Sequence, residues 1–307
     1  MQALYNQVVE EVSKVLDHAI AGNTASLVTL GQDGRSAYNA HSNREYLGMV
    51  NQLLLGQVAK ENGFVQNGWI TYRQAVELGG YVMPGEKHTK IYFRKYNYYD
   101  KDGKRHSEEA VKGFSRSEKR ALKLRRARIL RFYQVFNLVQ TAGLPDRLFV
   151  HDSPKALNPA EKFIAVENMI TEKGVTMQLH SSATGYDPVS DTVLLNEQEH
   201  DPGAILRAVA AWTGHETRLH RPEVEGNSDA YHLERLLEEM AAEMLAVQLG
   251  FELPMSQSKS QLMQWKFCLK ERPETLFILS NQAQRVVDFV TEKATSKESD
   301  SKEKVSL

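Results

Sequence analysis

Ala204-Ile205-Leu206-Arg207-Ala208-Val209-Ala210-Ala211-Trp212-Thr213-Gly214-His215-Glu216-Thr217-Arg218-Leu219-His220-Arg221 is the stretch on which the reading of the second half of the chain turns. Ile205 to Thr213 joins good helix formers to an apolar run and reads as a helix, and Gly214 marks its end. Arg218, His220 and Arg221 then fall in a loop beyond it. His215, Glu216 and His220 are metal-ligand types at an unsuitable spacing. Two histidines that share one metal from a helix stand four residues apart and nearly in line, whereas five residues apart they are about 140° round the axis. The pair reads as a polar helix C-terminus, and no metal or other cofactor is expected there.

Downstream, Tyr231 to Leu249-Gly250 reads as a long helix. Ser256 to Glu292 gives two more, with Leu276, Leu279, Ala283, Val286, Val287 and Val290 at helical spacing. Residues 294–307 are charged and Ser-rich and are expected to be disordered. Upstream, Val175 to Leu179 and Thr192 to Leu195 read as strands. Pro159 to Lys173 reads as a helix, with Asn158 as its cap and Glu161 three residues later. His151 to Asn158 is the expected linker, which divides the chain into domains over 1–150 and 159–293.

The first half mixes helix and strand signals, so an α+β architecture is expected. Residues 1–20 form an amphipathic helix stopped by Gly22 and expected as a lid on the first domain. Ser26 to Leu30 is a strand candidate, and a polar loop from Asn39 feeds an apolar helix reaching Leu55. Thr71 caps a helix that Gly79-Gly80 ends. Residues 81–96 read as strand, turn, strand, and Tyr98 to Gly103 as a turn. A basic helix is expected over 117–131, with Leu122, Ile129 and Phe132 as its apolar side, followed by a strand over 135–139.

With 307 residues and 41% apolar side chains, the chain can build two real cores. No run reaches the eighteen or so apolar residues of a membrane helix, and Glu10, Glu11 and Lys14 stand where a signal peptide needs an apolar core. A cytoplasmic location away from membranes is expected. The lone Cys268 excludes an internal disulfide framework. The net charge of -1 hides an asymmetry, because residues 1–150 carry 22 Lys and Arg against 14 Asp and Glu. Such a basic half suggests a domain that meets an anion.

Single strands are held by cations along the phosphates and aromatic rings under the bases. Tyr46, Trp69, Tyr72 and Tyr92, with Tyr96, are interleaved with Arg44, Arg73, Lys87, Lys90, Arg94 and Lys95. These are the candidate nucleic-acid-binding residues. The alternative is that Trp69 and two of the tyrosines are core and that the basic run is a solvated face. No helix-turn-helix, zinc-finger or Walker pattern competes for the role.

The ordered blocks Tyr46-x-Gly48-x-x-Asn51-x-Leu53-Leu54-Leu55, Trp69-x-Thr71-x-x-Gln74-Ala75-x-x-Leu78-Gly79-Gly80, Val82-x-x-Gly85-Glu86-Lys87 and Phe136-Asn137-x-x-Gln140 resemble the ArdC-type antirestriction proteins of conjugative plasmids. The likeness covers about residues 5–290, and Gly185-Tyr186-Asp187-Pro188-x-x-Asp191 continues it. It implies an amino-terminal domain that binds single-stranded DNA and a carboxy-terminal zincin-like metallopeptidase domain. A zincin carries His-Glu-x-x-His on a helix, two imidazoles on one zinc with the Glu as general base. On that pattern the three positions fall at Arg207, Ala208 and Ala211, none of which can do the chemistry. Glu234 would stand where the family has an acidic third ligand, with Arg235 after it, and Glu234 is expected to pair with Arg207.

The resemblance and the residues together imply a non-specific single-stranded-DNA-binding protein of a mobile element, acting in antirestriction or in protecting transferred DNA. Its peptidase-like domain would be inactive, so no enzyme activity is expected. A different reading makes the peptidase-like groove a module that captures a host defence protein. A third is a metallohydrolase that uses His215 and His220 with Glu216 or Glu234.

Overall fold

The computed structural model describes residues 2–23, 26–46, 48–149, 155–198, 201–222 and 228–292, without the side chains of 2–4, 94, 95 and 128. Helix ends follow local signals. α1 (Gln2–Ile20) stops before Gly22 at φ 88°, and α2 (Met49–Glu61) begins after Gly48 at φ 85°, a left-handed geometry that costs glycine little. α3 (Tyr72–Glu77) has the expected cap: Thr71 Oγ1 accepts from Gln74 N at 3.2 Å, and Gln74 Oε1 accepts from Thr71 N at 3.0 Å.

The first-half strands are β1 (Tyr38–Asn39), β2 (Arg44–Glu45), β3 (Gly68–Ile70), β4 (Tyr81–Val82), β5 (Thr89–Tyr99), β6 (Arg105–His106), β7 (Arg125–Asn137) and β8 (Thr141–Ala142). One sheet runs β2-β1-β3-β7-β5-β6, and β4 pairs with β8. β5 and β7 pair antiparallel from Thr89↔Val135 to Tyr99↔Arg125. β3 meets β7 only at Asn137 and Phe136, so most of β7 is one side of a long two-stranded ribbon. α4 (Glu108–Gly113) and α5 (Arg116–Ala121) sit in its distal connection.

The basic segment therefore differs from the expected helix: only Arg116–Ala121 is helical, and Arg125–Asn137 is strand. An eleven-residue ladder to β5 outweighs local helix propensity, which is a weak prior. Nor do Ser26 to Leu30 form a strand. The amides of Leu27 and Val28 both donate to the buried carboxylate of Glu243, the latter at 3.1 Å, so a side chain takes the place of a strand neighbour.

The second half contains α6 (Pro159–Lys173), β9 (Met177–His180), β10 (Gly185–Asp187), β11 (Thr192–Asn196), α7 (Pro202–Trp212), α8 (Asp229–Gln248), α9 (Lys259–Glu271) and α10 (Thr275–Thr291). Its sheet runs β10-β11-β9, with β9 and β11 parallel. Asn158 and Glu161 form the expected capping box at α6, and α7 ends before Gly214. Of the expected linker, residues 151–154 lie outside the described residues, as does the tail 294–307.

α1 is not a lid on the first half. It packs against α9 and α2, and its Val8, Val12 and Leu16 join one buried cluster with Met49, Leu53 and the cores of α7, α8, α9 and α10. Each such side chain contributes about 1.5–3 kcal/mol by leaving water, a gain that a four-helix neighbourhood offers and a small sheet does not. Backbone polar groups join the halves as well: Gly48 N donates to Gln284 Oε1 at 3.0 Å and Leu30 N to Glu252 Oε1 at 2.6 Å.

Candidate nucleic-acid interface and a second-domain cleft

The β5–β7 ribbon concentrates the positive charge. Residues 87–131 hold 16 Lys and Arg against 5 Asp and Glu. Among the described Lys and Arg side chains of that segment, Lys112 alone pairs with a carboxylate, Glu108 at 3.8 Å, while Asp100 is taken by His106 at 2.8 Å. Alternation along β5 puts Lys90, Tyr92 and Tyr96 on one face, opposite Phe132 and Arg126 of β7. Lys90 Nζ lies 5.2 Å from the Phe132 ring centre, and the Arg126 guanidinium stands 4.3 Å over Tyr96. Phe132 is 48% and Tyr133 41% exposed. Phe132 thus faces solvent where a helical apolar side had been expected, and the aromatic-rich end of the segment, Ile129 to Phe136, was its strand signal.

The candidate residues divide by burial. Trp69 is fully buried in β3, edge-on to Phe64 at 6.1 Å, and no base can reach it. A three-residue central strand leaves its large side chain nowhere but the core. Tyr46 and Tyr92 are 7% exposed. Burial pushes the Tyr46 hydroxyl up to about 12, and the group accepts from Asn39 Nδ2 at 3.3 Å. Tyr92 meets Phe277 of α10 at 6.5 Å, and the Asn51 side chain hydrogen-bonds both its N–H and its C=O, capping an otherwise open strand edge. None of these three is a surface stacking platform.

Tyr72, at 61% exposure, and Arg73 are exposed on α3, with Arg73 Nε 2.8 Å from Glu77. Lys87 is exposed in the loop before β5. Arg94 and Lys95 lie in β5, and their side chains are outside the described part. Arg44, exposed in β2, is brought together with Tyr46 and Tyr92 around a cleft of about 440 Å³ between the sheet and α10. Phe277 and Asn281 form its far wall, a contribution from the second half that no pattern in the first half announces.

In the second half, a cleft of about 900 Å³ opens beside the C-terminal end of α7, lined by Tyr186, Ala211, His215, His220, Glu234 and Glu238 among others. Arg207 points away from it. Its Nε donates to Glu239 Oε2 at 2.7 Å and its Nη2 to Oε1 at 3.2 Å, a two-pronged pair with only donors on one side. Gln257 adds a bond to the same carboxylate at 2.7 Å. The expected Glu234–Arg207 pair is not formed. Glu239 lies five residues along α8 from Glu234, about 7.5 Å, in the buried middle of the helix where Arg207 enters. Glu234 instead accepts from Arg221 Nε at 2.7 Å, and Arg221 also holds Thr213 Oγ1 and the Ala210 carbonyl.

Burial pushes the Glu238 carboxyl up to about 7, against the pull of Arg235, whose Nη1 stands 2.7 Å away. That contact is close but off hydrogen-bond geometry, leaving Glu238 Oε2 without a true donor among the described residues. Asp191 is the opposite case, held down to about 2 by the Arg218 guanidinium. A zinc site of the zincin kind does not fit these residues. A guanidinium has no lone pair to give, and Ala208 and Ala211 have no donor atom. His215 turns its Nδ1 to Thr217 Oγ1 at 2.9 Å, and among the described residues no three His, Cys, Asp or Glu side chains converge.

Comparison with known proteins agrees with this anatomy. Residues 2–136 match the family model for the N-terminal domain of anti-restriction factor ArdC, and residues 164–282 match that for a zincin-like metallopeptidase. DNA primase TraC of Escherichia coli is 28% identical over 260 residues, which are 82% of this chain and 24% of that protein. A second TraC from the same species is 26% identical over 231 residues, so the chain spans a quarter or less of these relatives. Protein y4eC of Sinorhizobium fredii is 24% identical over 82% of this chain and 80% of its own. The fold is that of the antirestriction protein ArdC from plasmid R388. The metal-free structure superposes with a TM-score of 0.71 at 23% identity, covering 94% of this chain and 97% of that one. The Mn(II)-bound structure gives 0.70 at 24%, covering 96% and 99%. No helix among the described residues is long and apolar enough to cross a membrane. Residues 2–136 thus belong to the family of ArdC N-terminal domains and residues 164–282 to the zincin-like metallopeptidases, joined in the fold that ArdC of plasmid R388 also has.

Proposed function

We propose that this protein is a sequence-tolerant single-stranded-DNA-binding protein of a mobile element, acting in the cytoplasm in antirestriction or in protecting transferred DNA, with a zincin-like domain that no longer cleaves. The observation that carries the reading is the β5–β7 ribbon: a segment with 16 cations against 5 acids, with exposed Phe132 and Tyr133 among them. Cations without carboxylate partners are free to track phosphates, and exposed rings contribute about 1–3 kcal/mol per stacked base. The antirestriction protein of plasmid R388 and the primase TraC supply the plasmid and DNA context. The reading of the second domain as inactive rests on Arg207, Ala208 and Ala211, whose side chains offer no metal ligand.

The test is binding of a fluorescent single strand and its duplex to the full chain, because α1 and α2 share their core with the second half. Preference for the single strand, with affinity falling about tenfold or more between about 50 and 200 mM salt, is expected for several phosphate contacts. Affinity indifferent to salt would sink the proposal.

A further inference from the structure

The cleft between the first-half sheet and α10 is built like a nucleobase site. At about 440 Å³ it lies within the range of roughly 300–1,000 Å³ typical of small-ligand sites. Its walls are aromatic and amide: Tyr46, Phe93 and Phe277 beside Gln74 and Asn281. Gln74 and Tyr46 are held in place with hydrogen-bonding capacity left over, and Asn281 adds an exposed, unheld amide. Gln74 Oε1 is consumed by Thr71 N at 3.0 Å and Asn39 Nδ2 at 3.1 Å, which fixes the side chain and leaves Nε2 without a partner among the described residues. The Asn281 amide has no hydrogen-bond partner among them. The Tyr46 hydroxyl accepts from Asn39 and keeps its own proton to donate.

That set, amide donors, an amide acceptor and a hydroxyl donor in a cleft edged by aromatic rings, matches the polar edge of a base rather than a peptide side chain. Arg44 stands exposed at the rim with no carboxylate partner among the described residues, whereas Glu45 lines another part and repels anions there. Tyr92, which also lines the cleft, lies two residues along β5 from Lys90 and on the same strand face. The cleft is therefore contiguous with the basic ribbon.

We propose that this cleft takes one unstacked base of a bound single strand, with the adjoining phosphate on Arg44. The inference rests on the single-strand reading above and adds to it a base pocket completed by the second domain. Such a pocket makes both halves of the chain part of one binding surface.

The experiment measures two ligands against the full-length protein: a fluorescent single strand, and each of the four deoxynucleoside monophosphates by NMR titration. Asn281→Trp fills the cleft from an exposed helix position, and Arg44→Glu reverses its rim; thermal melting checks that both variants fold. At least one monophosphate is expected to bind wild type and to lose binding in both variants. Strand affinity is expected to fall about 5- to 150-fold in Asn281→Trp, the equivalent of about 1–3 kcal/mol for one base. A wild type that binds the strand while folded Asn281→Trp binds it equally well overturns the pocket and leaves the ribbon reading standing. A wild type that binds no strand at all overturns both.

Discussion

The arginines of the two halves teach opposite lessons. Arg207, Arg218 and Arg221 have side chains only 10%, 10% and 6% exposed, and each is matched to a carboxylate: Glu239, Asp191 and Glu234. On the β5–β7 ribbon, Arg125, Arg126 and Arg131 are exposed and have no such partner among the described residues. A buried guanidinium must be neutralised, or desolvation unfolds the site, and once neutralised it presents no field to a ligand. An exposed one loses little by staying unpaired and projects its charge outward. The same residue type is thus mortar in the second domain and, on the proposed function, a ligand contact in the first.

The largest effect should come from breaking the buried pair. Glu239→Ala strands Arg207 and is expected to cost about 3–5 kcal/mol in denaturant unfolding; a loss below about 1 kcal/mol would place Arg207 in solvent contact and erase the contrast. The next is a pH effect at Glu238, whose folded value of about 7 exceeds the ordinary 4.5. The folded state then holds the proton more tightly than the unfolded chain. Its stabilisation is full below about pH 4.5 and is lost as pH rises through 7. Glu238→Gln should leave stability at about pH 4 nearly unchanged and raise it at about pH 8 by up to about 3 kcal/mol; equal melting curves at about pH 8 would refute this.

On the ribbon the expected pattern is reversed. Arg126→Glu should move stability by less than about 0.5 kcal/mol yet weaken single-strand binding about tenfold, lowering the salt slope by roughly 0.7 or more. A folding defect without a binding defect would make the ribbon structural. The smallest effect is reserved for the exposed Arg73–Glu77 pair on α3, where Glu77→Ala should change the melting free energy by at most about 0.5 kcal/mol.

Much of the local anatomy is legible in the residues themselves. The caps at Thr71 and Asn158 and the stops at Gly22 and Gly214 depend on hydrogen bonds and backbone angles within a few positions. The ordered blocks that carry the family resemblance between Tyr46 and Phe136 lie within the ArdC N-terminal match, and Gly185 to Asp191 lies within the zincin-like one. Less legible were the features that rest on distant partners. Arg125 to Arg131 reads as helix until β5 pairs with it, and Ser26 to Leu30 reads as strand until Glu243, more than two hundred residues later, takes the Leu27 and Val28 amides. Exposure was equally unreadable: Trp69 and Phe132 are both aromatic residues among cations, yet one is fully buried and the other is 48% exposed.

By itself the sequence determined the α+β mixture, the capped ends of α3 and α6, the basic first half, and the absence of ligand atoms at Arg207, Ala208 and Ala211. Those are matters of composition and short-range bonding. Tertiary structure alone decided that Glu239 rather than Glu234 meets Arg207, that α1 belongs to the core of the second half, and that Arg44 shares a cleft with Asn281. Each of these depends on which surfaces escape water together, a choice made by the whole chain at once and encoded at no single stretch of it.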